Sequence, residues 1–383
     1  MKKTLLTICL VWMCFSLSAQ KIIDLSGKWS FSIDRQDNGE KEKWFSHTLN
    51  DFINLPGSMP EKLKGDEVTA KTQWTGSLYD SSYYYNPYME KYRKEGNIKF
   101  PFFLTPDKHY VGAAWYQKEV NIPADWKGER ILLFLERPHI ETTVWVNGQK
   151  TGMQNSLCVP HQYDITRYVR PGKCTITIRV DNRIKEINVG PDSHSITDQT
   201  QGNWNGIVGR ICLQTTPKTY FDDIQIYPEP EQKLARVKVV IKGTGTAKVK
   251  LSAESFNTDK KHIVPAIQQE IKLNKGVTET EMVLPMGNDM LLWDEFHPAL
   301  YKLKAEVTNG KKTEIKEIQF GMRRFEIKGK WFYVNGRKTQ LRGTVENCDF
   351  PLTGYAPMDV ESWERVFRIC RSYGLNHMRF HSF

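Results

Sequence analysis

From Ile22 to about Thr216 the chain reads as short strands broken by turns, with no helical periodicity of any length among them. That pattern constrains the fold more than any other feature, because many short strands at even spacing pack as a sandwich or a barrel. Ile131-Leu132-Leu133-Phe134-Leu135 is a continuous apolar run, suited to a strand covered on both faces. Thr142 to Val146 is a second strand pattern, and Asn147-Gly148 follows it directly. Asn-Gly is a strong hairpin signal, since a tight type I′ turn needs positive φ at both central positions. Thr175 to Val180 alternates with period two, as a half-buried strand does. Trp115 and Trp145 lie inside strand patterns and read as core. Leu78 to Tyr92 stands apart: six tyrosines and few aliphatics read as a long surface insertion whose aromatics pack down or face a ligand.

Pro217, Pro228 and Pro230 mark a seam, and a second β-rich unit then runs to about Met322. Its strand patterns are Val237 to Lys242, Lys248 to Ala253, Ile267 to Leu273 and Tyr301 to Val307. A run of short strands of this length suits an immunoglobulin-like sandwich, although the Cys…Trp…Cys spacing of antibody domains is absent.

The last segment differs in kind. Trp331 to Val334, Asn335-Gly336 and Thr339 to Arg342 form a hairpin-like unit. Asp359 is placed to cap a helix that carries Val360, Trp363, Phe367 and Cys370 at helical spacing, with Gly374 as its terminator. Leu375 to Phe380 is an apolar-rich strand, so strand, helix and strand make one βαβ unit. Alone, such a unit leaves strand edges unpaired and a helix face uncovered, so further chain is expected after it. Rapid amide exchange is expected after about Phe325, where burial partners are missing.

Composition and charge remove several function classes. Lys2 and Lys3, the apolar run Leu5 to Leu17 and the small pair Ser18-Ala19 read as an export signal cleaved before Gln20, giving a periplasmic or secreted protein. A lipid-anchored amino terminus at Cys14 is the weaker alternative, since Met13 is bulky where a small residue is wanted. No later stretch approaches the roughly 20 apolar residues of a membrane helix. A 39% apolar fraction and eleven tryptophans exclude a disordered chain. The formal charge of +10 is spread thinly rather than gathered into a basic patch with stacking aromatics, so nucleic acid is not an expected partner. Five cysteines lie beyond the signal at irregular spacing, which is no disulfide framework, and neither a CxxC nor an HxxxH pair suggests a metal. No cofactor is expected.

Taken in order, the motifs resemble glycoside hydrolase family 2, the β-galactosidase and β-glucuronidase type, over nearly the whole mature length. Leu25-Ser26-Gly27-Lys28-Trp29-Ser30-Phe31 is similar to that family's first strand, and Ile53-Asn54-Leu55-Pro56-Gly57 to its next landmark. Ala114 to Lys118, Val144 to Gly148, Val180-Asp181-Asn182 and Gly206 to Arg210 follow its sugar-binding domain. Trp293 to Tyr301 resembles the end of its immunoglobulin-like domain. Phe320 to Phe325, Val334-Asn335-Gly336, Leu341-Arg342-Gly343 and Asn376-His377-Met378-Arg379 resemble the start of its catalytic barrel. The resemblance implies a mainly β chain: signal peptide 1–19, jelly-roll sugar-binding domain 20–218, immunoglobulin-like sandwich 219–322, and the first βαβ unit of an incomplete (β/α)8 TIM barrel over 323–383. It implies retaining hydrolysis of a β-glycoside, which needs two carboxyl groups about 5–5.5 Å apart. In the family both are glutamates on later barrel strands, so the catalytic pair is expected beyond Phe383 and this chain is expected to be inactive alone. The alternative is a non-catalytic carbohydrate-binding protein of two β-sandwiches, and a third reading is a structural module for a partner enzyme. In the first two readings the expected partner is a carbohydrate.

Ligand sites in such barrels lie at the carboxyl ends of the strands. Alternation puts His377, Arg379 and His381 on one face. The resemblance implies that Arg379 orients the nucleophilic carboxylate while His381 hydrogen-bonds a sugar hydroxyl; the competing reading is a polar layer that fills the barrel. The family pattern has the histidine three residues after the arginine, and here it is two. Glu346 and Asn347, after a first barrel strand read as Thr339 to Thr344, could grip sugar hydroxyls, or Glu346 could be a loop carboxylate tied to a cation such as Arg379. Asp198, Gln199 and Trp204 precede the Gly206 motif in a polar loop that in relatives can reach over the barrel mouth. There Trp204 would offer an apolar face to a sugar and Asp198 a hydroxyl acceptor, or Trp204 is simply packed.

Overall fold

The computed structural model describes residues 20–69, 72, 75, 86–97, 106–185, 202–348 and 350–381. Asp198, Gln199 and the export segment lie outside the described residues, as does most of the Leu78–Tyr92 insertion, of which Pro87–Tyr92 forms a 3-10 helix. Among the described residues no helix is long and apolar enough to cross a membrane. The chain divides into two compact units, one holding residues 217–326 and 334–336, the other residues 21–216, 327–333 and 337–381.

The unit that begins at Lys21 is built on two antiparallel sheets. One runs in the order Gln149–Asn155, Glu141–Val146, Gly172–Asp181, Ala113–Ile122, Gly27–Asp34, Asp51–Leu55. The other runs Ile22–Asp24, Gly206–Thr216, Arg130–His139, His161–Asp164, with Gly57–Ser58 paired to Gly206–Thr216. Register sets Tyr116, Ile178 and Val144 side by side, and these meet Leu133, Leu135 and Leu213 in one apolar core. The opposite face carries Trp115 and Trp145 with ring centroids 5.0 Å apart, roofed by Trp44, Phe45 and Leu49. Both faces of Glu141–Val146 are therefore covered, which explains why all its residues are buried. The hairpin turn after it has φ 50° at Asn147 and 76° at Gly148, the left-handed pair that Asn-Gly tolerates.

In the other unit Leu234–Phe256 is a single strand that changes partner along its length. Its first half pairs with Tyr220–Glu229 and its second with Leu300–Asn309, while Ile263–Pro285 follows it throughout. The ladder breaks between Gly243 and Gly245, opposite Gly276, and the positive φ of Gly245 and Gly276 (84° and 105°) bends it there. The bend preserves side-chain parity: Val237, Val239 and Ile241 before it and Val249, Leu251 and Ala253 after it join one core with Leu303 and Val307. The two strand patterns Val237 to Lys242 and Lys248 to Ala253 are thus one bent strand.

Gly343–Glu346 pairs in parallel with His377–Phe380, and the helix Val360–Ser372 connects them. The Asp359 carboxylate caps the helix by accepting the Ser362 amide at 2.7 Å, and Gly374, with φ 75°, ends it. Phe380 meets Trp363 and Phe367 on the helix at 5.5 and 6.4 Å between ring centroids. The first of these parallel strands is Gly343–Glu346 rather than Thr339 to Thr344; Arg337–Thr339 belongs instead with Trp331–Val334, around the turn at Asn335-Gly336. Cys174, Cys212 and Cys348 are buried free thiols, Cys370 is half-buried and Cys158 is exposed.

Candidate functional site

The carboxyl ends of the two parallel strands bring some of the expected residues together and separate others. Register pairs Val345 with Arg379 and Glu346 with Phe380. Phe380 faces the helix, so Arg379 and His377, one pleat removed, face away from it. Glu346 shares the Phe380 face, so the tie between Glu346 and Arg379 does not form; the Glu346 carboxylate instead accepts the Cys348 amide at 3.1 Å. His381 lies just past its strand, where its backbone N–H donates to the Glu346 carbonyl at 2.8 Å. Asn347 follows Glu346 and is exposed.

Between Glu346 and Asp359 the chain makes a loop that is compact in its own right. The amides of Thr353 and Gly354 donate to the Phe350 carbonyl at 3.2 and 2.7 Å, and Thr353 Oγ1 donates to the Tyr355 carbonyl at 2.7 Å. Trp363 Nε1 ties the end of the loop to the helix by donating to the Pro357 carbonyl at 2.9 Å. Cys348, Gly354 and Ala356 are buried. A cleft of about 530 Å³ opens beside it, with apolar walls from Pro56, Tyr355, Pro357 and Met358. Glu136 and Arg210 add charge to that cleft but are paired to each other at 3.0 Å.

Trp204 is 1% exposed, so its ring offers no open face to a sugar as it stands. It stacks on His139 with centroids 4.5 Å apart and meets Tyr355 at 5.4 Å. Neither ring nitrogen of His139 makes a hydrogen bond of good geometry, and burial, with help from nearby Arg137 and against a weaker pull from Asn203, pushes the His139 pKa down to about 3. His161, whose Nδ1 lies 2.6 Å from Thr142 Oγ1, is pushed down to about 4 by burial. Both imidazoles are neutral at ordinary pH.

The segment immediately before residue 186 is held by charge. Asp181, with a fully buried side chain, meets Arg179, Arg183 and Lys185 at 3.0, 2.6 and 2.7 Å. Asp37 pairs with both arginines, and Glu141 pairs with Arg179 and Lys185. Burial works to raise the Asp181 pKa, but hydrogen bonds from Arg183 and Lys185 outweigh it and hold the carboxyl well below its usual range. Asn182 and Asn205 complete the framework: Asn182 Oδ1 accepts the Gly112 amide at 2.8 Å, and Asn205 Oδ1 accepts the Tyr116 hydroxyl at 2.7 Å. Among the described residues no group of three or more His, Cys, Asp or Glu side chains is arranged to hold a metal ion.

Sequence reasoning missed Ser58, Glu61 and Tyr355. The signal for the first two was present in Ser58-Met59-Pro60-Glu61, a Ser-x-x-Glu box in which each side chain bonds the other's amide. Tyr355 carried none, because its partner is distant in the chain.

Comparison with known proteins accords with this geometry. Residues 22–217 match the sugar binding domain of the glycosyl hydrolases family 2, and residues 219–323 match a second domain of that family. The β-glucuronidase of Paenibacillus borealis is 24% identical over 355 residues, covering 88% of this chain and 51% of that protein. Human β-glucuronidase is 23% identical over 394 residues, covering 93% of this chain and 53% of that protein. The crystal structure of Ruminococcus gnavus β-glucuronidase superposes with a TM-score of 0.65 at 19% identity, covering 94% of this chain and 54% of that one. The chain thus spans about half the length of these relatives. It belongs to glycosyl hydrolase family 2.

Proposed function

We propose that this chain is the N-terminal part of an exported retaining β-glycosidase acting on a β-D-hexopyranoside, with its two catalytic glutamates outside these 383 residues. The observation that carries the proposal is the ordered match of both family domains over residues 22–323, followed by a parallel βαβ unit. Relatives named β-glucuronidase and β-galactosidase both act on sugars of that class, and a Ruminococcus gnavus β-glucuronidase has been crystallised with D-glucuronic acid. In the retaining mechanism one carboxylic acid protonates the leaving oxygen. The second carboxylate attacks the anomeric carbon to form a glycosyl-enzyme, which water then hydrolyses. Here Arg379 would orient the nucleophile, and His381 and Asn347 would bond sugar hydroxyls at the barrel mouth. Asp198 would supply a further acceptor from the sandwich.

Mass analysis of the protein as its own cell exports it tests the proposal. The expected product starts at Gln20, exceeds the 44.5 kDa of this chain and contains an Asn-Glu pair after the fourth barrel strand and a second glutamate after the seventh. An exported product ending at Phe383 would sink the enzyme reading and leave the carbohydrate-binding one, which the cleft between Pro56 and Pro357 favours. Sugar binding to that product on a glycan array would then separate a lectin-like protein from a structural module.

A further inference from the structure

The loop that leaves the first parallel strand is anchored on the sandwich as well as on its own βαβ unit. Twelve residues separate Glu346 from Asp359, against about 2–6 in ordinary connections of this kind. Ser58 Oγ donates to the Thr353 carbonyl at 2.5 Å, and the Tyr355 hydroxyl donates to Glu61 Oε2 at 2.8 Å. Those two sandwich groups are held ready by their own box, with the Glu61 amide donating to Ser58 Oγ at 3.2 Å and the Ser58 amide to Glu61 Oε2 at 3.3 Å. The ring of Tyr355 rests against Trp204, and Gly354, with φ 83°, packs on the same tryptophan, where a Cβ would sit 3.5 Å from Trp204 Cβ in ordinary contact. Hydrogen bonds, an aromatic contact and a backbone contact converge on three consecutive positions, Thr353, Gly354 and Tyr355.

We propose that Tyr355, with Ser58 and Glu61, acts as a positioning set by which the sandwich fixes the first βα loop and hence the direction in which Asn347 is presented. The loop is pinned at its start by the Glu346 carboxylate on the Cys348 amide, in its middle by the sandwich, and at its end by Trp363. Asn347 lies between the two ends of the first pin, and the buried Cys348 at its far end is continuous with the docked middle, so the middle acts on Asn347 by keeping Cys348 in place. On the glycosidase reading the sandwich thereby shapes one wall of the site at the carboxyl ends of the parallel strands. The role of Asn347 rests on the glycosidase reading, whereas the docking of the loop does not.

Amide exchange on the 383-residue chain tests the docking without any sugar or turnover, so its failure and that of the glycosidase reading are distinguishable. The amides of Thr353 and Gly354 are expected to be protected in the native chain. Tyr355→Phe keeps the ring and removes the hydroxyl, and should speed their exchange about 10-fold, the usual effect of losing a bond to a charged acceptor. Glu61→Ala should do the same, while Glu61→Gln, whose amide oxygen still accepts, should restore slow exchange. The strands Arg130–His139 and Gly206–Thr216 should be unchanged in all three variants. The inference is overturned if these loop amides exchange freely in the native chain, if Tyr355→Phe leaves them unchanged, if loop and strands accelerate together, or if Glu61→Gln behaves like Glu61→Ala.

Discussion

Replacing Asp181 with alanine is expected to destabilise the jelly-roll unit by about 3–5 kcal/mol, the usual cost of removing one partner from a buried ion network. The Asp181 side chain is fully buried and accepts from both Nε and Nη2 of Arg183, which besides meets only Asp37 among the network's carboxylates. Arg179 is itself 8% exposed, so the alanine variant leaves a buried guanidinium with less compensation. Three cations would then face two carboxylates. The exposed pair Lys173–Glu119 provides the control, because surface pairs of that kind contribute about 0–1 kcal/mol. Urea unfolding of Asp181→Ala and Glu119→Ala would show the contrast; equal midpoints in the two variants would refute the assigned weight of the network.

Acidification from pH 7.5 to 5 is expected to weaken the same unit by about 2 kcal/mol for each of two buried histidines. His139 and His161 have folded-state pKa values pulled from the ordinary 6.5 down to about 3 and about 4. A depressed value means that their contribution is complete above the unfolded-state value and lost as pH falls below it. At pH 5 the unfolded chain takes up both protons while the folded chain takes up neither. Asp181, also depressed, adds its loss only in more acidic solution, as pH falls through the ordinary carboxylate range. His139→Phe keeps a ring against Trp204 and removes the titrating group, so the gap in stability between the two pH values should shrink by about half. An unchanged gap would show that His139 is not held neutral by burial.

Local features of this fold were legible in the sequence, and contacts between distant segments were not. The turn at Asn147-Gly148 is written in two residues because φ is a local property, and Asp359 and Gly374 bound their helix for the same reason. Parallel pairing was legible from the order of strand, helix and strand. The register of the first parallel strand was not, because hydrogen bonds to His377–Phe380, some thirty residues away, select Gly343–Glu346 over the neighbouring Leu341-Arg342. The bent strand Leu234–Phe256 read as two, since the glycines that interrupt its apolar pattern look like a turn until Gly276 is seen opposite them. Trp204 lies in a polar sequence context, yet it is buried because His139 and Tyr355 reach it from other segments. Tyr355 and Glu61 are 294 residues apart, beyond any periodicity argument.

In the candidate site the residues at the strand ends were found by type and order, while their directions came only from pairing. Glu346 looked like a partner for Arg379 because both fall at carboxyl ends, but strand parity separates them. A pleated strand turns successive side chains to opposite faces, so a shift of one residue in register reverses such an assignment. The sandwich residues that hold the first βα loop belong to a turn with no chemistry of its own, which is why composition and motif did not expose them.

The purified 383-residue chain can be exposed to 4-nitrophenyl β-D-glucuronide and β-D-galactoside, then to the matching 2-deoxy-2-fluoro glycosyl fluorides, and weighed. If both catalytic carboxylates lie outside this chain, as proposed, no nitrophenol should be released above the rate in buffer, and the mass should not change. Release of nitrophenol, or a glycosyl adduct on any residue of this chain, would contradict that proposal.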